Sequence, residues 1–297
     1  MPGFTAVAGR LDRVVADRLS LPRADVQRAI AAGRVLVDGR TRPKSFGLTG
    51  GERVEIELEG LQEVPAEDGA VPVRYEDDRL LVVAKPAGLV THPTAARRSG
   101  TLVNRLLGMD VALSSVAGPE RRGIVHRLDA GTSGLLVIAK DDEAHELLAS
   151  MLSRHQIERR YLALVRGDVE HDRFAVDAPL GRRGARVIVR QDGGKEAETA
   201  FVVRERFVSS TFLEATPLTG RTHQIRVHLS SIGHPILGDR SYGGGGDPAK
   251  RLGLLRPFLH AWRLSFTHPT TGTRIEIEEP LPEDLQTALE RARAAAA

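Results

Sequence analysis

A carboxylate, Asp129, occupies the segment of the chain whose residue types are best suited to catalysis. Residues 126–134 read HRLDAGTSG, so the carboxylate is followed by two glycines and two hydroxyl side chains. Residues 135–139 are all apolar and predict a buried strand directly after this segment. Gly131 and Gly134 can adopt backbone angles that other residues resist. The pattern predicts a reactive carboxylate on a tight loop, held in place by the strand behind it.

Three other segments combine charged, aromatic and glycine residues in a way that is typical of binding loops. Residues 85–93 read KPAGLVTHP, residues 159–163 read RRYLA and residues 220–229 read GRTHQIRVHL. The first follows a predicted strand, the second lies in one and the third opens a predicted helix, so rigid elements could present all three. By contrast, residues 243–246 are all glycine and predict a flexible surface loop.

Arg226 is the candidate partner of the carboxylate. A carboxylate that acts as a nucleophile or base must stay ionised, and arginine suits this because its planar fork matches a carboxylate in two places. Arg226 lies on a predicted apolar helix over residues 222–232, where a buried guanidinium would require a partner. The residues alone leave the partner of Arg226 open. It could pair with Asp129, as a functional role requires, or it could face solvent or pair with Glu214 in a purely structural role. The role of Tyr161 is open as well, because a tyrosine in a strand more often packs in the core than serves in a site.

The ten histidines do not form a metal-binding pattern. His223 and His228 are five residues apart, which places them roughly 140° apart around a helix, so they cannot easily share a metal ion. His126 and Asp129 could share one, but no third ligand lies near them in the sequence. Ser133 lacks the first glycine of the G-x-S-x-G motif, so its hydroxyl is expected to bond the turn backbone. We therefore expect neither a metal nor a serine nucleophile.

Composition indicates the compartment. Cysteine is absent from the 297 residues, which excludes disulfides, thiolate nucleophiles and cysteine-ligated zinc. No apolar run is long enough to cross a membrane, and nothing resembles a signal peptide. These features predict a cytoplasmic protein that has no membrane partner.

Charge is concentrated near the N-terminus. Residues 1–50 contain nine Arg and Lys against four Asp, although the net charge of the whole chain is only +3. A basic module on a nearly neutral body is typical of proteins that bind a polyanion, although a solvated charged surface would look the same.

The periodicity predicts two folded units. Residues 11–58 predict two small helices and a few strands, and residues 61–70 lack periodicity and predict a linker. Beyond them, strands outnumber helices, which favours an α+β fold with a mixed or antiparallel sheet over a doubly wound parallel sheet. We predict domains over residues 1–60 and 71–290 and a tail over residues 291–297. The larger domain is expected to have strands at residues 80–84, 135–139, 161–165, 200–203, 212–215, 263–266 and 274–277, and helices at residues 141–153, 222–232 and 282–292.

The four segments, in this order, resemble those of the RluA-type family of RNA pseudouridine synthases. The similarity spans about residues 71–280 and includes the motifs HRLD-x-x-TSG, GRTHQIRVH and KP-x-G with HP. Residues 10–58 resemble the small α+β RNA-binding domain named after ribosomal protein S4, which commonly precedes the catalytic domain in the large-subunit ribosomal RNA branch. The resemblance implies an α+β enzyme that breaks the glycosidic bond of a uridine within RNA, rotates the base and rejoins it through carbon, without cofactor or metal.

The resemblance also implies roles for individual residues. Asp129 corresponds to the essential nucleophile, Arg226 to the arginine that pairs with it, and Tyr161 to the tyrosine that packs on the target base and assists proton removal from C5. Arg127 corresponds to the arginine that fills the gap left by the flipped nucleotide. Arg159 stands where many relatives have lysine, which keeps the charge. The other residues expected to contact RNA are Lys85, His92, Arg221 and His223 in the larger domain, and Arg23, Arg28 and Arg34 in the N-terminal domain.

The resemblance implies that the partner is large-subunit ribosomal RNA or a pre-ribosomal particle. The basic N-terminal domain can supply the phosphate contacts that opening stacked RNA requires. Two alternatives are a synthase that acts on transfer RNA and a non-catalytic RNA-binding factor for ribosome assembly. The second alternative would be expected to lack the aspartate or the tyrosine, and both are present. No long exposed apolar stripe is apparent, so we expect a monomer.

Overall fold

The computed structural model of the protein describes residues 3–19, 21, 23–57, 64–94 and 97–295. Among these residues, the buried apolar side chains up to Ile56 form one core, and those from Val64 onwards form three others. This matches the predicted order of a small unit followed by a larger one. The domain boundaries at residues 60, 70 and 290 stay a prediction.

The small N-terminal unit contains two helices and short antiparallel strands. Leu11, Val14 and Val15 are buried on one face of the first helix, as the helical spacing of apolar residues predicts. The described elements are β1 (Gly3–Thr5), β2 (Gly9–Arg10), α1 (Leu11–Leu19), α2 (Arg23–Ala31), β3 (Val35–Val37), β4 (Arg40–Thr41), β5 (Gly47–Leu48) and β6 (Arg53–Ile56). One sheet has the order β1-β6-β3-β4, and β2 pairs with β5.

The larger unit is built around a nine-stranded sheet. Its strands have the order β11-β14-β15-β10-β16-β9-β8-β7, and β17 also pairs with β16. The strands are β7 (Val73–Glu76), β8 (Leu80–Lys85), β9 (Ser133–Ala139), β10 (Glu158–Arg166), β11 (Arg173–Asp177), β14 (Glu198–Phe207), β15 (Ser210–Pro217), β16 (Leu259–Thr267) and β17 (Arg274–Glu278), and a separate hairpin consists of β12 (Leu180–Arg183) and β13 (Arg186–Val189). All sheet pairs are antiparallel except β9 with β16, so the predicted α+β fold with a mixed sheet is confirmed.

Helices cover both faces of this sheet. The helices are α3 (Leu102–Gly108), α4 (Asp142–Ser153), α5 (Gln224–Ser231), α6 (Asp247–Arg251) and α7 (Glu283–Ala294), with 3₁₀ turns at Pro119–Arg121 and Arg240–Tyr242. Leu80 and Val82 pack with α4, whereas the alternate residues Leu81 and Val83 belong to the core that includes α3, α5 and α7. Burial on both faces explains why β8 and β9 read as continuous apolar runs. Among the described residues, no helix is both long and apolar enough to cross a membrane.

Gly134 allows β9 and β16 to pair directly behind the Asp129 loop. Its φ is +116°, and a Cβ atom there would lie 2.1 Å from the carbonyl oxygen of Ala261. The expectation of an unusual backbone is wrong for Gly131, whose φ is not positive. Gly131 instead leaves room for Pro257, because an added Cβ would lie 3.1 Å from the proline ring.

Residues 64–70, within the predicted linker, contain no helix or strand but pack on the larger unit. Val64 is buried in its main core, and Asn104 Nδ2 donates a hydrogen bond to the carbonyl oxygen of Pro65 at 2.9 Å. Residues 61–63 lie outside the described residues. The described part of the predicted linker is therefore attached to the larger unit.

Candidate active site

Asp129 lies on the loop that leads into β9, and hydrogen bonds from the segment after β8 hold this loop on both sides of the carboxylate. Thr91 Oγ1 donates to the carbonyl oxygen of Leu128 at 2.7 Å. The N–H group of Gly88 donates to the carbonyl oxygen of Ala130 at 2.7 Å. The loop is therefore fixed by backbone contacts, as a pre-organised catalytic group requires.

Lys85, which is predicted to contact RNA, is only 1% exposed at the end of β8, and its contact with RNA stays a prediction. Its Nζ donates to the carbonyl oxygens of Pro86 at 2.9 Å and Leu89 at 2.8 Å, and lies 3.5 Å from that of Ala130. Burial lowers the pKa of Lys85 to about 7. In this structure Lys85 therefore links the end of β8 to the segment after it and to the Asp129 loop.

We expect Lys85→Met to destabilise the protein and to slow its reaction. The substitution leaves the carbonyl oxygen of Leu89 without its donor, and a buried unsatisfied group costs about 1–3 kcal/mol. It also removes the 3.5 Å contact of Nζ with the carbonyl oxygen of Ala130 in the Asp129 loop. Lys250→Met is the matched control, because Lys250 is exposed and its loss should change the free energy of unfolding by less than about 0.5 kcal/mol. Urea unfolding compares the two variants, and equal stabilities would contradict this role of Lys85.

The lowered pKa of Lys85 predicts a pH dependence of stability. In the unfolded chain this lysine holds its proton up to its ordinary pKa of 10.5, whereas in the folded protein it loses the proton near pH 7. Between these values the unfolded state binds more protons, so the free energy of unfolding rises with pH. We expect the stability of the wild-type protein relative to Lys85→Met to increase from pH 7 to pH 10. A difference that stays constant over this range would contradict the prediction.

Arg226 pairs with two carboxylates at once. Its Nη1 donates to Asp129 Oδ2 at 3.0 Å, and its Nε and Nη2 donate to the two carboxylate oxygens of Asp239 at 2.6 and 2.9 Å. Burial by itself lowers the pKa of Arg226, but the hydrogen bonds to Asp239 and the charges of both carboxylates outweigh it and raise the pKa above its ordinary value. The sequence left Asp129 and Glu214 open as partners of Arg226, and the structure shows the pair with Asp129. Glu214 pairs with other arginines instead.

Asp239 is a site residue to which the sequence analysis assigned no role. It is 1% exposed and precedes a turn in which the N–H group of Gly244 donates to the Asp239 carbonyl oxygen at 2.8 Å. A Cβ atom at Gly244 would lie 1.7 Å from the carbonyl oxygen of Ile236. The prediction of a flexible surface loop over residues 243–246 is therefore wrong at Gly244, which is buried. Arg226 could have indicated that a second carboxylate is present, because a guanidinium group on a buried helix has five N–H donors and needs more than one acceptor.

Tyr161 lines a cleft of about 610 Å³ together with Asp129 and Arg226. It lies on β10, at the centre of the sheet, and is 7% exposed. Burial raises the pKa of Tyr161, so the phenol keeps its proton at neutral pH. The structure thus brings the three predicted catalytic residues into one cleft, with a neutral aromatic ring near an ion pair. Their roles in catalysis stay a prediction.

His223 lies close to the other oxygen of the Asp129 carboxylate. Its Nε2 is 3.9 Å from Asp129 Oδ1, and its Nδ1 is 2.8 Å from the hydroxyl of Tyr242. Its φ of +57°, at the start of α5, is uncommon outside glycine and indicates that the surrounding contacts fix the residue. Burial lowers the pKa of His223, so the ring is neutral at neutral pH. If Tyr242 donates to Nδ1, the remaining ring proton is on Nε2 and faces the carboxylate.

Comparison with known proteins identifies the family. A family model described as RNA pseudouridylate synthase matches residues 79–231, a segment that contains Asp129, Tyr161 and Arg226 and covers more than half of the chain. The chain belongs to the RNA pseudouridylate synthase family. A model of the S4 domain matches residues 9–54, so the resemblance of the N-terminal unit is confirmed as well.

This RNA pseudouridine synthase is similar to bacterial relatives over most of its length. It is 42% identical to the RNA pseudouridine synthase YlyB of Bacillus subtilis, over 91% of this chain and 89% of the relative. It is 43% identical to ribosomal large subunit pseudouridine synthase D of Nitrosomonas europaea, over 96% of this chain and 84% of the relative. Among solved structures, human RNA pseudouridylate synthase domain containing 1 matches with a TM-score of 0.57 and 28% identity, over 73% of this chain and 86% of that one. The synthase is an isomerase, as predicted.

Four of the residues predicted to contact RNA line the cleft of the synthase: His92, Arg127, Arg221 and His223. Arg127 is exposed, whereas His92 is 8% exposed. Burial, and then the charges of Arg127 and Arg121, lower the pKa of His92 to about 4, so its ring is neutral. Their contacts with RNA stay a prediction.

The three predicted RNA-binding arginines of the N-terminal unit differ in their surroundings. Arg23 Nη2 donates to Oδ2 of the buried Asp12 at 3.0 Å and keeps about half of its side chain exposed. Burial alone would raise the pKa of Asp12, but hydrogen bonds from Arg10 and other donors lower it to about 2. Arg23 therefore links α2 to α1 and still presents surface to a ligand. Arg34 is half-buried, and the side chain of Arg28 lies outside what the structure describes.

The sequence analysis missed an arginine-rich hairpin formed by β12 and β13. Val187 of this hairpin shares a small core with Val227 of α5, and the guanidinium of Arg186 lies 5.5 Å from the ring centre of Tyr242. The hairpin is thus anchored on the helix that carries Arg226. The signal in the sequence was the short basic run RRGAR around a glycine turn. The exposed arginines in and next to the hairpin are Arg182, Arg183, Arg186 and Arg190.

Proposed function

We propose that this synthase converts uridine to pseudouridine in large-subunit ribosomal RNA and that Asp129 is its nucleophile. The observation that carries the proposal is the ion pair of Asp129 and Arg226 in a cleft that Tyr161 also lines. The relative from Nitrosomonas europaea, which is named for the large ribosomal subunit, supports this choice of RNA. We further propose that the synthase acts in the cytoplasm as a monomer, on ribosomal RNA or on a pre-ribosomal particle.

The two oxygens of Asp129 have different surroundings, which suits a nucleophile. Arg226 binds Oδ2, and among the described residues no donor forms a hydrogen bond with Oδ1. Oδ1 can therefore attack the ribosyl carbon of the target as its bond to N1 of the base breaks. The freed base rotates, C5 bonds to the same carbon, and Asp129 leaves. C5 loses one proton and N1 gains one, so the step is an isomerisation that needs no oxidant or reductant.

The uridine must leave the RNA stack before it can reach Asp129. The aromatic ring of Tyr161 offers a surface for the extruded base, and such stacking contributes roughly 1–3 kcal/mol per base. Arg127, which is exposed at the cleft, can occupy the vacated place in the RNA with its planar guanidinium. Phosphate contacts must offset the cost of unstacking, and the arginines of the N-terminal unit and of the β12–β13 hairpin can supply them.

We expect the double substitution Arg182→Glu with Arg183→Glu to weaken RNA binding and to lower its salt dependence. Each lost phosphate contact reduces the slope of log affinity against log salt by about 0.7–0.9. Arg173→Glu with Lys250→Glu makes the same charge change at other exposed positions and should have a smaller effect. Filter binding at several salt concentrations compares the two. An equal loss of affinity in both double variants would contradict a specific role of the hairpin.

The class of RNA is tested with the purified synthase and RNA from cells that lack its gene. Ribosomal RNA and transfer RNA are incubated separately, and new pseudouridine is measured by mass spectrometry. We expect turnover on large-subunit RNA or its precursor particle and little on transfer RNA. Turnover on transfer RNA alone would overturn the proposed substrate but keep the chemistry. Binding to ribosomal RNA without turnover on either RNA would favour the assembly-factor alternative.

A further inference from the structure

Arg159 is a buried cation in the cleft, and among the described residues no carboxylate forms an ion pair with it. The residue is 9% exposed, lies on β10 and lines the cleft. Its Nη2 makes one long hydrogen bond, 3.4 Å, to the carbonyl oxygen of Pro217, and its Nε is buried without any partner. In the described part of the chain no acidic side chain forms an ion pair with it. Arg159 therefore differs from Arg226, which binds two aspartates.

Two residues that the charge of Arg159 affects, His126 and Tyr161, are themselves uncharged. Burial, with a smaller effect of the Arg159 charge, lowers the pKa of His126 to about 3, so this ring is neutral. Burial raises the pKa of Tyr161, so the phenol is neutral as well. A buried guanidinium without an anion is costly, so an anionic ligand in the cleft would stabilise Arg159.

We propose that Arg159 binds the phosphate of the uridine nucleotide whose base packs against Tyr161. This proposal deepens the proposed function and rests on Tyr161 as the surface for the base. A guanidinium fork matches the oxygens of a phosphate, so the recognition is specific in geometry as well as in charge. Arg159 would then be a positioning residue that fixes the nucleotide relative to Asp129.

The geometry of the cleft agrees with this assignment. Arg159 and Tyr161 are two residues apart on one strand, a spacing of about 6.8 Å along the strand, and both line the cleft. The base and the phosphate of one nucleotide can therefore be held by adjacent positions on the wall. Gly220 lies next to the guanidinium, since a Cβ atom added there would be 3.4 Å from Nη1. A larger side chain at this position would crowd the edge at which the phosphate is expected.

The proposal is tested by measuring how the full-length protein binds uridine, uridine 5′-monophosphate and uridine 3′-monophosphate, using NMR titration. We expect the wild-type protein to bind one of the two monophosphates roughly tenfold or more tightly than uridine, as a charge-assisted contact implies. Whichever monophosphate is preferred identifies the phosphate that Arg159 holds. The ratio of the affinity for this monophosphate to the affinity for uridine should fall to near one in Arg159→Gln. It should be intermediate in Arg159→Lys, which keeps the positive charge but lacks the planar guanidinium.

Arg160→Gln is the matched control, because Arg160 is the next residue on β10 and pairs with Glu158 and Glu214. This variant should keep the phosphate preference of the wild type. No preference in the wild type, a preference that survives in Arg159→Gln, or an equal loss in Arg160→Gln would each overturn the proposal. Arg159→Lys covers the case in which Arg159→Gln does not fold. The assay needs no turnover, so its result stays separate from the test of the RNA substrate.

Discussion

Asp129→Asn is expected to abolish pseudouridine formation and to leave the protein folded. The side chain keeps its size, and its amide oxygen can still accept the hydrogen bond from Arg226 Nη1. Arg226 also keeps both hydrogen bonds to Asp239, so its buried charge stays paired. What is lost is the nucleophilic oxygen. We expect the turnover rate to fall by on the order of 10⁴-fold or more, as for the removal of other enzymic nucleophiles, with RNA affinity nearly unchanged.

The matched control for this variant is Asp192→Asn, which removes the same charge from an exposed loop. Its turnover should equal that of the wild type. Rates are measured as pseudouridine formed per enzyme in RNA from cells that lack the gene, and thermal unfolding checks the fold. Residual turnover of Asp129→Asn above a few per cent of wild type would show that Asp129 is not the nucleophile.

Asp239→Ala is expected to cause the largest loss of stability of any single change in the site. Asp239 is 1% exposed and accepts two hydrogen bonds from Arg226, so its removal leaves a buried guanidinium with only Asp129 as a partner. Breaking a buried pair in this way costs about 3–5 kcal/mol. Arg226 should also lose its fixed orientation, so turnover should fall together with stability. Urea unfolding gives the first quantity and initial rates give the second.

Glu205→Ala is the matched control for an ion pair at the surface. Glu205 binds Arg293 at 2.8 Å, but both side chains are more than one third exposed. The loss of such a pair changes the free energy of unfolding by about 0–1 kcal/mol, and turnover should not change. If Asp239→Ala were as stable as Glu205→Ala, Asp239 would not be the residue that holds Arg226 in place.

Much of the fold could be predicted because its patterns are local. The apolar run over residues 135–139 predicted β9, and helical spacing predicted the positions of α4, α5 and α7 within about two residues. The excess of strands over helices predicted the mixed sheet. The site residues Asp129 and Arg226 could be named because a reactive carboxylate needs a cationic partner. Their pairing was left open, since sequence spacing does not reveal which residues a helix faces.

The remaining features depend on contacts between residues far apart in the chain. Lys85 was predicted to bind RNA, and only the packed fold shows that its buried Nζ atom binds the carbonyl oxygens of Pro86 and Leu89. Asp239 lies in the site at the start of a turn that is closed by a hydrogen bond from the buried Gly244. Arg159 is buried, and in the described part of the chain no carboxylate forms an ion pair with it. Local sequence patterns do not show which distant residues make these contacts.

The central claim is that Asp129 makes pseudouridine in ribosomal RNA, and one measurement tests it most directly. Total RNA is mapped for pseudouridine in cells that lack the gene and carry either the wild-type protein or Asp129→Asn at equal abundance. We predict that specific large-subunit sites lose the modification without the gene and regain it only with the wild-type protein. Restoration by Asp129→Asn, or a map that does not change when the gene is lost, would contradict the account.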